Sequence, residues 1–304
     1  MTATREWSGL QVVDPIVRDE VLTVGSDGRL VGIVSHPATG QSRVLRTTVA
    51  LGQRDPGLIL LNAGVLHRIG PHRLHVVLAR RMATHGISAL RLDLGGIGDS
   101  VAAPGAASFR ESAVADTRTA MTALTDTFGI RSFFLFGICA GADNAIATAL
   151  VDERVAGIVL VDPPSYATRR GQLRDLRDRV AKRGGPRDVL RWGLQVAERR
   201  LRRAIARLGR HEPPASGGRE LPTAAAYRAQ LTQLVERRVR ILAVYSGIHR
   251  ARYNRADQLF ELYPELRDRI DVAYFADANH TFTERTTQAA LVDTLTRWIA
   301  KHRG

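Results

Sequence analysis

Along the chain, short apolar runs bounded by glycine, asparagine and aspartate alternate with longer stretches whose apolar residues recur every three or four positions. The first pattern is that of buried strands, the second that of helices laid against them. Glu20 to Val24 and Leu30 to Val34, joined by the turn Gly25-Ser26-Asp27-Gly28, predict an antiparallel edge hairpin. Gly57 to Leu61, Ser88 to Leu94, the run ahead of Cys139, Val155 to Val161, Arg240 to Tyr245 and Asp271 to Phe275 predict further strands. Between them, Pro71 opens a helix with Leu74, Val77, Leu78 and Met82 on one stripe and Gly86 past its end. Another helix carries Val114, Met121, Leu124 and Phe128 and closes at Gly129, and a last one presents Leu291, Val292, Leu295, Trp298 and Ile299. Such alternation predicts an α/β fold, a mostly parallel sheet covered by helices on both faces.

Residues 165–235 break the rhythm. They hold arginine-rich helical stretches, separated by Gly184-Gly185-Pro186 and by the loop Glu212 to Gly218, and no strand pattern. The expected division is a core of residues 1–164 and 236–304 with a helical cap, 165–235, inserted between two core strands. Charge sharpens this division. Between Arg169 and Arg210, fifteen basic residues stand against four acidic ones, a net +11 of the chain's +14. Such a block suits an acidic protein, a phosphate-bearing molecule, nucleic acid or an anionic membrane, and equally a solvated helical face.

At 304 residues and 44% hydrophobic, the chain is long enough for one large core or a core plus a small subdomain. No apolar run is long enough to span a bilayer, and the start, MTATREWSGL, lacks a signal peptide's apolar stretch, so a cytoplasmic protein is expected. A single cysteine excludes an internal disulfide and a multi-cysteine metal site. The loop Gly95-Gly96-Ile97-Gly98-Asp99-Ser100 has neither dinucleotide-binding nor phosphate-loop spacing, so neither a cofactor nor a metal is implied.

That lone cysteine sits in Gly137-Ile138-Cys139-Ala140-Gly141, between an apolar strand and a helical pattern. A side chain thrust from a sharp strand-to-helix turn needs small residues on either side, because neighbouring elements pack close there. Cys139 is therefore the candidate nucleophile, against the plainer reading of a buried structural thiol. The positive end of the following helix favours its anion, and the N–H of Ala140 is a ready donor to an oxyanion.

Three motifs in order, Asn62-Ala63-Gly64-Val65, the Cys139 elbow and Ala276-Asp277-Ala278-Asn279-His280-Thr281-Phe282, make residues 20–302 resemble the α/β-hydrolase superfamily. More narrowly, NAGVLHRIGPHR, LDLGGIGDS and DANHTF look like the hydrolases associated with exosortase systems and their relatives in biosynthetic clusters. The resemblance implies that His280, past the last strand, is the general base. It also implies that Gly64 or Val65 supplies a second oxyanion donor, with Asn62, His67 and Asp99 on the rim. Loss of one such donor removes about 3 kcal/mol of transition-state stabilisation.

The acid departs from the family pattern, since Tyr245 to Arg252, after the penultimate strand, contains no carboxylate. Asp162 after its neighbouring strand, Asp257 folding back, or a Cys-His dyad without an acid would each serve, and Asp162 is favoured. A cysteine forms a thioester intermediate, which exchanges readily with thioester substrates and stays activated toward other acceptors. A cysteine-dependent acyltransferase or thioesterase acting on a carrier-protein or coenzyme A thioester is thus expected, with the basic cap steering an acidic acyl carrier protein. A carboxylester or lactone hydrolase is the enzymatic alternative, and a non-catalytic protein binding through its basic cap the alternative of another class.

Overall fold

The computed structural model describes residues 17–37, 56–183, 221–249 and 252–303, apart from 26, 106 and 107, and isolated positions between 185 and 202. Its centre is an eight-stranded sheet ordered β1-β2-β4-β3-β5-β6-β7-β8. The strands are β1 (Val17–Val24), β2 (Leu30–Pro37), β3 (Gly57–Leu60), β4 (Ala89–Leu92), β5 (Phe133–Ile138), β6 (Val155–Val161), β7 (Arg240–Ser246) and β8 (Asp271–Phe275). β1 and β2 form the antiparallel hairpin at one edge, β2 joins β4 antiparallel, and every other pairing is parallel. The expected hairpin and parallel core are both present.

Strand alternation divides the core in two. Leu58, Leu60, Phe134, Phe136, Val159 and Val161 face α1 (Leu74–Thr84) and the last helix, α6 (Arg285–His302). Ile59, Leu135, Ile158 and Leu160 face the side covered by α2 (Phe109–Phe128) and α3 (Ala140–Val151). Both faces of the parallel strands are buried, as helix-covered parallel sheets require. Leu291, Val292, Leu295, Trp298 and Ile299 of α6 are all inside.

The stripe expected on α1 is shifted. Val77 is 43% exposed, while Val76, Ala79 and His75 join Leu74, Leu78 and Met82 inside. The cause is local: Pro71–Arg73 is a 3-10 turn with His72 and Arg73 at positive φ, so the α-helix begins only at Leu74 and its phase is reset.

The inserted segment contributes α4 (Arg169–Ala181), whose N-cap Thr168 accepts from the Gly171 N–H at 2.8 Å, and α5 (Ala224–Glu236). No strand occurs among its described residues. Gly184, Pro186 and the loop Glu212 to Gly218 lie outside them, as does the N-terminal MTATREWSGL. Most of α4 is solvent-exposed, whereas α5 buries Tyr227, Leu231, Leu234 and Val235 in the core beside the strand-end residue Tyr245. α5 is thus a sheet-covering helix, and the exposed arginine-rich material lies before it. All six tyrosines gather here: Tyr166, Tyr227 and Tyr263 are ring neighbours, Tyr245 stacks on Tyr253 at 3.6 Å, and Tyr274 lies beside Tyr253. No helix among the described residues is long and apolar enough to cross a membrane.

Candidate active site

Cys139 ends β5 and caps α3 with φ 56° and ψ −115°. A non-glycine residue takes such a backbone only where its surroundings enforce it. Here they do: its N–H donates to Val161 O at 3.0 Å and its carbonyl accepts from Ala142 N at 3.0 Å. The two flanking glycines are needed for packing. A Cβ on Gly137 would lie 2.1 Å from the Gly141 backbone, and one on Gly141 would lie 2.7 Å from Asn62 O. The elbow is therefore pressed against the Asn62 loop. Cys139 itself is partly exposed.

Over it stands His280, on the turn after β8. Buried Phe282 packs edge-on against Phe275, and Asn279 Oδ1 accepts from the N–H groups of Thr281 and Thr283 at 3.2 and 3.1 Å. Gly247 holds the turn against the end of β7: its N–H donates to Ala278 O at 3.1 Å, and any Cβ would fall 1.9 Å from Ala276 O. His72 Nε2 meets Thr283 Oγ1 at 3.0 Å and steadies the far side.

His280 Nδ1 donates to Asp162 Oδ2 at 2.7 Å. Asp162, nearly fully buried and at φ 46°, directly follows β6. Ser246 holds it from the end of β7, its N–H on Oδ1 at 2.7 Å and its hydroxyl on Oδ2 at 2.6 Å. With Nδ1 committed, Nε2 is the ring nitrogen left for the hydrogen bond that His280 shares with the Cys139 side chain. The hydrogen bond to Asp162, followed by that to Cys139, lifts the imidazole to about 9 against partial burial. Asp257 is elsewhere, on the 3-10 turn Ala256–Gln258 and ion-paired to Arg255 at 3.2 Å.

The Asn62 to Val65 loop lies beside the elbow, and Gly64 takes φ 61°. Its turn is closed by Leu66 N to Ala63 O, a bond that uses neither the Gly64 nor the Val65 N–H. Buried Asn62 donates to Leu66 O at 2.8 Å and to Asp93 Oδ1 at 3.0 Å, and accepts from Leu94 N at 2.8 Å. Asp93, fully buried, also accepts from the backbone and guanidinium of Arg68. His67 Nε2 lies 3.5 Å from Asp93 and 3.7 Å from Asp99. These three could group around a cation, but Arg68 already bridges both carboxylates, reaching Asp99 at 2.7 Å. His67 and Asp99 thus belong to the scaffold behind the loop.

A cavity of about 420 Å³ opens onto Cys139, Asp162 and His280, walled by Pro163, Pro164, Ser165, Leu221, Ile248 and Arg252. The structure brings together Cys139, His280 and Asp162, with Ala140 and the Gly64 loop adjacent. Sequence reasoning missed Ser246, Asp93, Arg68 and Arg252. Only Asp93, in the Leu92-Asp93-Leu94 strand end, carried a signal, a carboxylate inside an otherwise apolar run.

Residues 64–239 match the sequence profile of the serine aminopeptidase S33 hydrolase family. The chain belongs to that family. Solved structures agree on the fold. An esterase from Pyrococcus furiosus superposes with a TM-score of 0.57 at 13% identity, over 96% of this chain and 94% of that one. A dienelactone hydrolase from Anabaena variabilis gives 0.53 at 12% identity, over 95% and 100%. A lidless serine hydrolase from Xanthomonas campestris gives 0.51 at 13% identity, over 93% and 94%. No significant match is found among curated proteins. This S33-family hydrolase therefore has the α/β-hydrolase fold.

Proposed function

We propose that this S33-family protein is a cysteine-dependent acyltransferase or thioesterase that forms an acyl-enzyme at Cys139. The observation that carries the reading is the Cys139 elbow hydrogen-bonded to a His280 that Asp162 orients. His280 holds the thiol proton on Nε2, and Sγ bonds to the substrate carbonyl carbon. The oxyanion is received by the N–H of Ala140 and by that of Gly64 or Val65. As the tetrahedral species collapses, the bond to the leaving thiolate breaks, and Nε2 returns the proton to that sulfur. Water or an acceptor alcohol, amine or thiol then attacks the acyl-cysteine, gives its proton to Nε2, and Sγ leaves as the thiolate. Because His280 is raised to about 9, the resting pair at neutral pH is one in which the Cys139 proton has already passed to Nε2, so the thiolate is formed before it attacks.

Thioester substrates are favoured because exchange between thioesters is nearly balanced in energy. The exposed arginines of α4, among them Arg169, Arg170 and Arg177, support delivery by an acidic acyl carrier protein. The test is intact mass after incubation with an acyl thioester, with an adduct expected on Cys139 and none on Cys139→Ala. Absence of the adduct, with turnover undiminished in Cys139→Ala, would end this reading. A second reading, a carboxylester hydrolase using the same acyl-enzyme, is supported by the esterase and the dienelactone hydrolase among the structural neighbours. Turnover of simple esters with no preference for thioesters would select it.

A further inference from the structure

Among the described residues that line the cavity, Arg252 is the one charged residue besides the paired Asp162 and His280. We infer that Arg252 selects substrates bearing an anionic oxygen group, a carboxylate or a phosphate, close to the carbonyl that Cys139 attacks. The inference rests on the acyl-enzyme reading of the site and names the class of substrate it takes.

Arg252 stands on a fixed backbone. Buried Gln258 donates from Nε2 to the carbonyls of Arg252 and Tyr166, and its Oε1 accepts from Asn254 N at 3.0 Å. Asn254 in turn donates to Gly171 O at 2.8 Å and accepts from Arg174 Nε at 2.9 Å, which ties the segment to α4. The next residue, Tyr253, is buried and stacked on Tyr245. With its backbone so anchored, Arg252 lines the cavity with little backbone freedom left to lose on binding.

The carboxylates of the same region are engaged by other partners. Glu261 pairs with Arg174 at 2.7 Å and accepts from Thr168 Oγ1 at 2.5 Å, Asp257 pairs with Arg255, and Asp162 serves His280 and Ser246. Among the described residues, none neutralises Arg252. A planar, permanently charged fork, exposed where it lines the cavity beside Leu221 and Ile248, matches a carboxylate or phosphate oxygen pair.

Two sources of the anion are separable. One is a carboxylate on the acyl chain, tested by comparing succinyl and pentanoyl thioesters of N-acetylcysteamine, which contain no phosphate. The other is a phosphate on the leaving arm, tested by comparing butyryl-phosphopantetheine with butyryl-pantetheine. In one arm the anionic member should be preferred in kcat/KM by tenfold to a hundredfold, the range of a hydrogen bond to a charged group. Arg252→Gln should bring that ratio close to one, and Arg252→Lys should keep part of it.

Ratios below twofold in both arms, or a ratio that survives Arg252→Gln, would overturn the inference. Failure of the thioester reading is a separate outcome: acyl-cysteine would be absent with every thioester, while matched p-nitrophenyl succinate and pentanoate report the same ratio. If neither class turns over, calorimetric binding of the same pairs to Cys139→Ala, with and without Arg252→Gln, decides it.

Discussion

Replacing Asp162 by asparagine is the most informative perturbation of the site. The carboxylate accepts three hydrogen bonds, from Ser246 N on Oδ1 and from the Ser246 hydroxyl and His280 Nδ1 on Oδ2. An amide of the same shape cannot accept all three. With its oxygen toward Ser246 N, the NH2 faces His280 Nδ1 and drives the imidazole into the tautomer protonated on Nε2, which cannot take the thiol proton. Turned the other way, the NH2 meets the Ser246 N–H, leaving a buried donor unpaired at about 1–3 kcal/mol. Either orientation also removes the first cause of the raised His280, whose titration should fall from about 9 toward 6.5.

We expect Asp162→Asn to slow acylation of Cys139 by about 10²- to 10⁴-fold, the usual share of a positioned acid-base group. The assay is single-turnover acylation followed by rapid-quench mass spectrometry, with the rate of iodoacetamide alkylation measured across pH 5 to 10. Ser246→Ala is the graded control: it removes one donor and leaves the other, a loss of about 1 kcal/mol. A pH profile and an acylation rate within twofold of the parent in Asp162→Asn would refute the assignment of the acid.

Three further outcomes follow from the geometry. Gly137→Ala places a Cβ 2.1 Å from the Gly141 backbone and should destabilise the fold by about 3 kcal/mol, read as a lower urea midpoint at unchanged slope. Because the folded-state pKa of His280 is raised, its contribution to stability is complete below about pH 6.5 and is lost as pH climbs through about 9. The denaturation midpoint should therefore fall between pH 7 and 9.5 in the parent and fall less in His280→Asn. Asp93→Asn weakens the frame of Arg68 and Asn62 behind the Gly64 loop. It should lower kcat with KM little changed, and an equal rise in KM at constant kcat would place Asp93 outside transition-state support.

The elbow and the histidine turn were legible because their constraints are local. Glycines two positions on either side of Cys139 and a histidine just past the last apolar run are visible without any tertiary contact. The partner of His280 was not legible to the same degree. Asp162 directly follows β6 while Asp257 lies on a 3-10 turn well beyond β7, and which of them meets the histidine turn depends on the parallel pairing of β6, β7 and β8. Ser246 and Arg252 carried no signal, since a serine at a strand end and one arginine among many become specific only once the cavity closes around them. The phase of α1 was misread for a related reason: a 3-10 turn with two positive φ angles leaves no mark in the spacing of leucines.

Because every tyrosine of the chain lies where the inserted helices meet the sheet, near-ultraviolet dichroism from phenol rings reports on that junction alone. Tyr253 adjoins Arg252, so filling the cavity should register in the same band. Occupancy could thus be followed optically, without a label and without turnover.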